Sequence, residues 1–208
     1  MAIGAKNNNS GKNVFYVKMV KSDKAKNRVP PHFSFRHKEA DDTYSEVQNA
    51  SFSGSLTSVK TEDHEYQGQI TPQAVLRIED GNDVYILSLL YNFTSRSLLN
   101  SLLSLTEFPT KVLNFNVYET KKNEKGETYP AFAIWQGDTM VKWFYQKDEL
   151  PAIEKIAIKG KKDLTDSSKL DDFLRAKLDD KFNGKNSPAK EETGAPFDEE
   201  VNKDSVPF

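Results

Sequence analysis

Aromatic, amide and cationic side chains recur at alternate positions in several short segments of this chain. That is the chemistry of a surface able to stack flat rings and neutralise phosphate. The residues concerned are Tyr16 and Lys18, Arg77, the run Asn114, Asn116 and Tyr118, Tyr129 and Trp135, and Lys142. Aromatic faces stack on nucleobases irrespective of base identity, at about 1 to 3 kcal/mol per ring by alanine substitution, and Lys or Arg offsets the backbone charge. Lys111 stands just ahead of the Asn114 run, and two basic stretches add to it. Residues 21–28 hold Lys21, Lys24, Lys26 and Arg28 against a single acid, and residues 121–127 hold Lys121, Lys122 and Lys125. Rings in a β-rich chain serve equally as core or cross-strand packing. Phe15, Phe115 and Phe132 read as core on that ground, and so does Trp143, between apolar neighbours.

Other chemistries find less support. His32 and His37 are five apart with no Cys or paired carboxylate at a ligand spacing, and His64 stands alone in an acidic stretch. Neither arrangement makes a zinc site. The pairs Asp41-Asp42 and Asp171-Asp172 are adjacent in sequence, and neighbours on a strand point to opposite faces. Gly54 and Ser55 lack the Lys of a phosphate loop. The sequence therefore reads as that of a binding protein, with no catalytic residues, metal or cofactor.

Length and composition set the frame. A chain of 208 residues, 37% of them hydrophobic, permits one domain with a tail or two small domains. No stretch is apolar for long enough to span a membrane, and the first ten residues lack the apolar run of a signal peptide, so residues 1–12 read as a loose leader. With no cysteine the chain fits a reducing, cytoplasmic setting. The net charge of −2 hides an asymmetry: residues 1–160 carry 20 basic and 19 acidic side chains, whereas residues 161–208 carry 9 and 12. Clusters, not the sum, set the field a polyanion meets.

Elements that would position the candidate residues follow from periodicity. Strands are expected over residues 13–20, 50–60, 73–79, 84–91, 111–119, 128–136 and 139–145, with residues 80–83 as a hairpin turn and residues 61–68 as an acidic loop. The connection holding Phe33, Phe35 and Tyr44 is ambiguous. Alternation puts Leu113, Phe115 and Val117 on one face and Asn114, Asn116 and Tyr118 on the other; Phe132 and Ile134 oppose Tyr129 and Trp135. Residues 94–105 switch to a helical period, capped by Thr94 or Ser95. A charged amphipathic helix is expected over residues 163–182. One helix between earlier and later strands is the element order of a five-stranded OB-type barrel. The fold class is therefore mainly β with α elements: an elaborated barrel with one internal helix, a C-terminal helix and a disordered acidic tail. Its organisation would be a binding domain over residues 13–160, the charged helix on or beside it over residues 161–183, and a linker with tip over residues 184–208.

The last eleven residues combine Asp198, Glu199, Glu200 and Asp204 with the terminal Val206, Pro207 and Phe208. A segment this polar buries too little to order itself, leaving an anionic hook with one ring and a carboxylate for a basic pocket elsewhere. It resembles the C-terminal tip of bacterial and phage single-stranded DNA-binding proteins, although Asn202, Lys203 and Ser205 interrupt the acidic run. The resemblance implies an OB fold and sequence-independent coating of single-stranded DNA during DNA replication, recombination and repair. It also implies recruitment of polymerase, helicase or nuclease partners through Phe208. An OB-type RNA-binding or RNA-chaperone protein and a protein-only adaptor are the alternatives, since stacking platforms do not by themselves distinguish the two sugars.

Overall fold

The structure is a computed structural model that describes residues 12–20, 30–39, 41, 43–120, 128–157 and 164–184. Strands β1 (Asn13–Val20), β2 (His32–Lys38), β3 (Tyr44–Asn49), β4 (Ser51–Tyr66), β5 (Gln69–Asp80) and β6 (Asp83–Leu90) precede helix α1 (Phe93–Leu102). Then come β7 (Val112–Glu119), β8 (Pro130–Gln136), β9 (Thr139–Met140), β10 (Glu154–Ile156), β11 (Leu164–Asp166) and helix α2 (Ser168–Asn183). Nine of the strands form one sheet in the order β3-β2-β1-β6-β5-β4-β7-β8-β9; β10 and β11 pair separately. All neighbours in the large sheet are antiparallel except β1 and β6, which run parallel.

The chain is mainly β with two helices among the described residues, as the periodicity implies. A closed five-stranded barrel is not what the sheet forms: it has nine strands, and no ladder joins its edges β3 and β9. It curls all the same. Phe33 of β2 reaches Phe132 of β8 with ring centroids 5.6 Å apart, and Phe52 of β4 lies 4.9 Å from Phe33 and stacks on Phe115 of β7 at 5.0 Å. Buried rings of this size each contribute roughly 1.5 to 3 kcal/mol relative to exposure, so the aromatic interior holds the curl without a closing ladder.

Strand β4 makes the curl possible because it serves two partners. Its start pairs with β7, from Ser51 opposite Asn116 to Ser55 opposite Val112, and from Ser55 onward it pairs with β5. Gly54 sits at the hand-over. A Cβ there would lie 2.9 Å from the Glu79 carbonyl oxygen and 2.7 Å from Ile78 Cγ2, so only a residue without a side chain lets β5 come this close.

Several expectations change for reasons that lie outside the local sequence. The stretch 61–68 is no loop, because β4 continues to Tyr66 and turns at Gln67-Gly68, both with positive φ (50° and 76°), the backbone of a tight two-residue hairpin. Its acidic residues are held by partners distant in sequence: Gln73 donates to Glu62 at 2.6 Å, and Arg175 of α2 pairs with Asp63 at 2.6 Å. The ambiguous connection resolves into β2 and β3, where Phe33 and Phe35 are buried against the sheet interior. The strand expected over residues 139–145 stops at Met140, so Trp143 is 49% exposed and not core. Phe15, Phe115 and Phe132 are buried, as their positions require.

The start of α1 is set by a capping box. Asn92, not Thr94 or Ser95, caps α1: its side chain accepts from the Thr94 and Ser95 amides at 3.0 and 3.2 Å, while Ser95 Oγ accepts from the Asn92 amide at 2.9 Å. Leu98, Leu99 and Leu102 of α1 are fully buried. In α2, which starts at Ser168 and not at residue 163, Leu170, Leu174, Leu178 and Phe182 recur every four residues and are all buried. That stripe packs the helix on α1 and on the second half of β4. Thr61 donates to Asp179 at 2.7 Å, and Lys181 donates to the Leu103 carbonyl at 2.8 Å.

Candidate nucleic-acid interface

Alternation along β7 sorts its side chains as the pattern demands. Leu113, Phe115 and Val117 are buried, Asn114 and Asn116 are half-buried, and Tyr118 is 46% exposed. Across the ladder Asn114 is the direct partner of Trp135 on β8 and of Ser53 on β4, so Ser53, Asn114 and Trp135 form one cross-strand row. Tyr129 is 43% exposed just before β8, where its backbone bonds to Thr120. These five residues, Asn114, Asn116, Tyr118, Tyr129 and Trp135, make one cluster on β7 and β8.

A second cluster lies on β1, β6 and β5. Tyr16, 48% exposed, stands between Arg36 on β2 and Ile86 on β6, and Ile86 is the partner of Arg77. Lys18 follows Tyr16 on the same face of β1. Strand β4 separates the two clusters in the sheet order, with Arg77 opposite Ser58 and Asn114 opposite Ser53.

Charge is distributed less simply than composition suggests. Arg77 is committed to Glu79 at 2.9 Å, and Lys12 reaches the same carboxylate at 2.5 Å. Burial alone would raise the pKa of Glu79; the bonds from Lys12 and Arg77 outweigh it and hold the group below the ordinary glutamate value. Lys111 pairs with Glu107 at 3.7 Å, in an exposed geometry of small energetic value. Among the described residues no ion pair engages Lys18 or Lys142, and Lys142 lies exposed after β9. Arg36 joins the outward row, 3.7 Å from Glu46 and 5.6 Å from the Tyr44 ring centre. Sequence reading missed Arg36 and Tyr44, although the alternation of Phe33, Phe35 and His37 with Ser34, Arg36 and Lys38 was there to be read.

The remaining candidates, Lys21, Lys24, Lys26, Arg28, Lys121, Lys122, Lys125 and the tip residues Asp198, Glu199, Glu200, Asp204, Val206, Pro207 and Phe208, lie outside the described residues. Where the two basic stretches attach is nevertheless set by strand direction. Strands β1 and β4 run the same way and β7 runs against them, so Val20 and Glu119 end their strands at opposite ends of the sheet.

Among the described residues no group of three or more His, Asp or Glu side chains is placed to hold a metal ion, and no helix is long and apolar enough to cross a membrane. His37 is buried with Nδ1 2.8 Å from the Val14 carbonyl oxygen and its ring on Phe15, a packing role. The chain matches no protein-family model, no curated protein and no solved structure.

Proposed function

We propose that this chain is a sequence-independent single-stranded DNA-binding protein of phage type, which coats unpaired strands in DNA replication, recombination and repair. The observation that carries the reading is the set of exposed or half-exposed rings Tyr118, Tyr129 and Trp135 beside the amides Asn114 and Asn116 on a curled sheet, with Tyr16 exposed in the second cluster. Rings stacked on bases and cations on phosphates grip a strand without reading it. Of the candidate cations among the described residues, Lys18 and Lys142 are outside any ion pair and serve that task, joined by the Lys and Arg residues of 21–28 and 121–125. In this reading the acidic tip ending in Pro207-Phe208 recruits replication and recombination proteins and takes no part in holding the strand.

The order of part of the sheet supports the same reading, in which an OB-type core is embedded in the larger sheet. The run β4, β5, β6, α1, β7, β8 contains five strands with one helix between the third and fourth, and its ladder order is β6-β5-β4-β7-β8 with the first strand in the middle. On this reading the parallel place on β6, where a barrel would close, is taken by β1. The long β4, with its register shift between Leu56 and Ser58 and the close approach of β5 at Gly54, then acts as the first strand shared between both halves of the barrel.

A titration of Trp fluorescence against oligo-dT, oligo-U and duplex DNA tests the reading. Quenching and tight binding with oligo-dT, weak binding to the duplex and a steep loss of affinity with salt are expected. Preference for oligo-U over oligo-dT would move the assignment to RNA, and the absence of any response would leave a protein-only adaptor.

A further inference from the structure

One cleft in the sheet shares Asn114, Asn116 and Trp135 with the stacking surface and adds polar groups that surface does not use, Asn49 and Asp80. It is open to solvent, with Asn49 and Asp80 exposed at its rim, and its volume of about 620 Å³ is within the roughly 300 to 1,000 Å³ typical of small-molecule sites. Four rings line it: Phe35 and Tyr85, which are buried, and Phe52 and Trp135, which are half-buried. Polar groups meet there from four strands: Asn49 of β3, Ser53 of β4, Asp80 of β5, and Asn114 and Asn116 of β7. Among the described residues no side-chain hydrogen bond or ion pair engages Asn49, Asp80, Asn114 or Asn116, so these groups are free to meet a ligand.

The lining contains no Lys or Arg, and its one charge is the Asp80 carboxylate. A phosphate or another anion is therefore repelled, and the fitting ligand is flat, neutral and rich in hydrogen-bonding edges. Nucleobases meet that description. The carboxylate narrows the choice further, because it only accepts and presents two oxygens side by side. Guanine is the base whose Watson–Crick edge offers two adjacent donors, N1–H and the 2-amino group, and its O6 and N7 accept from an amide NH₂ of the kind Asn49, Asn114 and Asn116 supply. Thymine flanks its single donor with two carbonyl oxygens, which a carboxylate disfavours. Adenine and cytosine offer one amino group beside a ring nitrogen that only accepts.

We infer that this cleft receives the exposed Watson–Crick edge of an unpaired guanine, so that a strand otherwise held without regard to sequence is bound more tightly where a guanine can enter. The inference rests on the proposed single-strand function and adds a base preference to it. It also excludes duplex DNA, in which that edge is already paired.

The experiment compares oligo-dT with the same oligonucleotide carrying one central deoxyguanosine, or one central deoxyinosine, which lacks the 2-amino group. In the native protein the single guanine should tighten binding by about 5- to 150-fold, the range of one well-placed bidentate base contact, and inosine should recover only part of that gain. Asp80→Ala and, independently, Asn49→Ala should abolish or reduce the guanine gain, and Asp80→Ala should leave oligo-dT affinity as it was. Free guanosine, added as competitor, should displace the guanine-containing strand only weakly, because it lacks the stacking and phosphate contacts of its neighbours. Equal affinity for the three oligonucleotides, with oligo-dT still quenching Trp fluorescence, overturns the guanine site and leaves the single-strand reading standing. A guanine gain that survives Asp80→Ala, or free guanosine binding as tightly as the strand, also overturns it, and failure to bind any oligonucleotide overturns both readings.

Discussion

Asn114 and Trp135 are direct cross-strand partners, on β7 and β8, and they share the half-buried outward row with Ser53. The pairing puts an amide, able to donate and accept, directly beside an indole ring within the candidate interface.

Replacing Trp135 by Ala tests that pairing. A stacked ring is worth about 1 to 3 kcal/mol, so affinity for oligo-dT should fall by roughly 5- to 150-fold and fluorescence quenching should shrink. Trp143, 49% exposed but outside both clusters, provides the comparison: Trp143→Ala should change affinity far less. Equal effects of the two substitutions in filter-binding or anisotropy titrations would place the strand elsewhere.

The second prediction concerns the joint between the helices. Arg96 of α1 makes a two-pronged pair with Asp171 of α2, Nε to Oδ1 at 2.6 Å and Nη2 to Oδ2 at 2.8 Å, with side chains only 16% and 11% exposed. Removing one partner strands the other charge in a poorly solvated place. Arg96→Met should lower unfolding stability toward the lower end of the roughly 3 to 5 kcal/mol seen when buried pairs are broken, and Arg96→Met with Asp171→Leu should recover much of it. Urea denaturation of the two variants checks this, and a double variant weaker than the single one would contradict it.

Gly54 gives a third. Because a Cβ there would meet the Glu79 carbonyl at 2.9 Å, and backbone cannot move aside as a side chain can, Gly54→Ala should destabilise by about 1 to 3 kcal/mol. Gly81, with nothing within 4 Å of an added Cβ, is limited only by its positive φ of 58°, so Gly81→Asn should be tolerated well. Thermal melts of both variants separate crowding from conformational freedom.

The pH dependence follows from Glu79. Its folded pKa lies below the ordinary value of 4.5, so its ionised form is favoured by folding. The stabilisation is fully present above the unfolded value and is lost as pH falls through the lowered folded one. Glu79→Gln should flatten that acid limb of the stability curve, measured as urea midpoints from about pH 6 downward. A limb unchanged by the substitution would assign it to other carboxylates.

At the alkaline end Tyr85 acts in the opposite sense. Burial, then the charges of Asp83 and Asp80, push its phenol up to about 12. The fold therefore favours the neutral ring, and that stabilisation is complete below the ordinary tyrosine value near 10 and is lost as pH rises toward about 12. Burial raises the Tyr91 phenol as well, so spectroscopic titration should show two late-ionising tyrosines, and Tyr85→Phe should leave one.

The sequence by itself determined which residues face inward along each local run, because period-two and period-3.6 patterns are written in consecutive side chains. Phe115 against Asn114, Phe132 and Ile134 against Trp135, and the stripe Leu170, Leu174, Leu178 were all legible for that reason. Only the tertiary structure decided what depends on residues far apart in the chain. The continuation of β4 through the acidic residues 61–66 rests on β5 and α2, and the exposure of Trp143 on the early end of β9. The parallel pairing of β1 with β6 joins strands more than sixty residues apart, and Asn49, Asp80 and Asn114 come to one cleft from three different strands; no local pattern of side chains encodes which distant strands become neighbours.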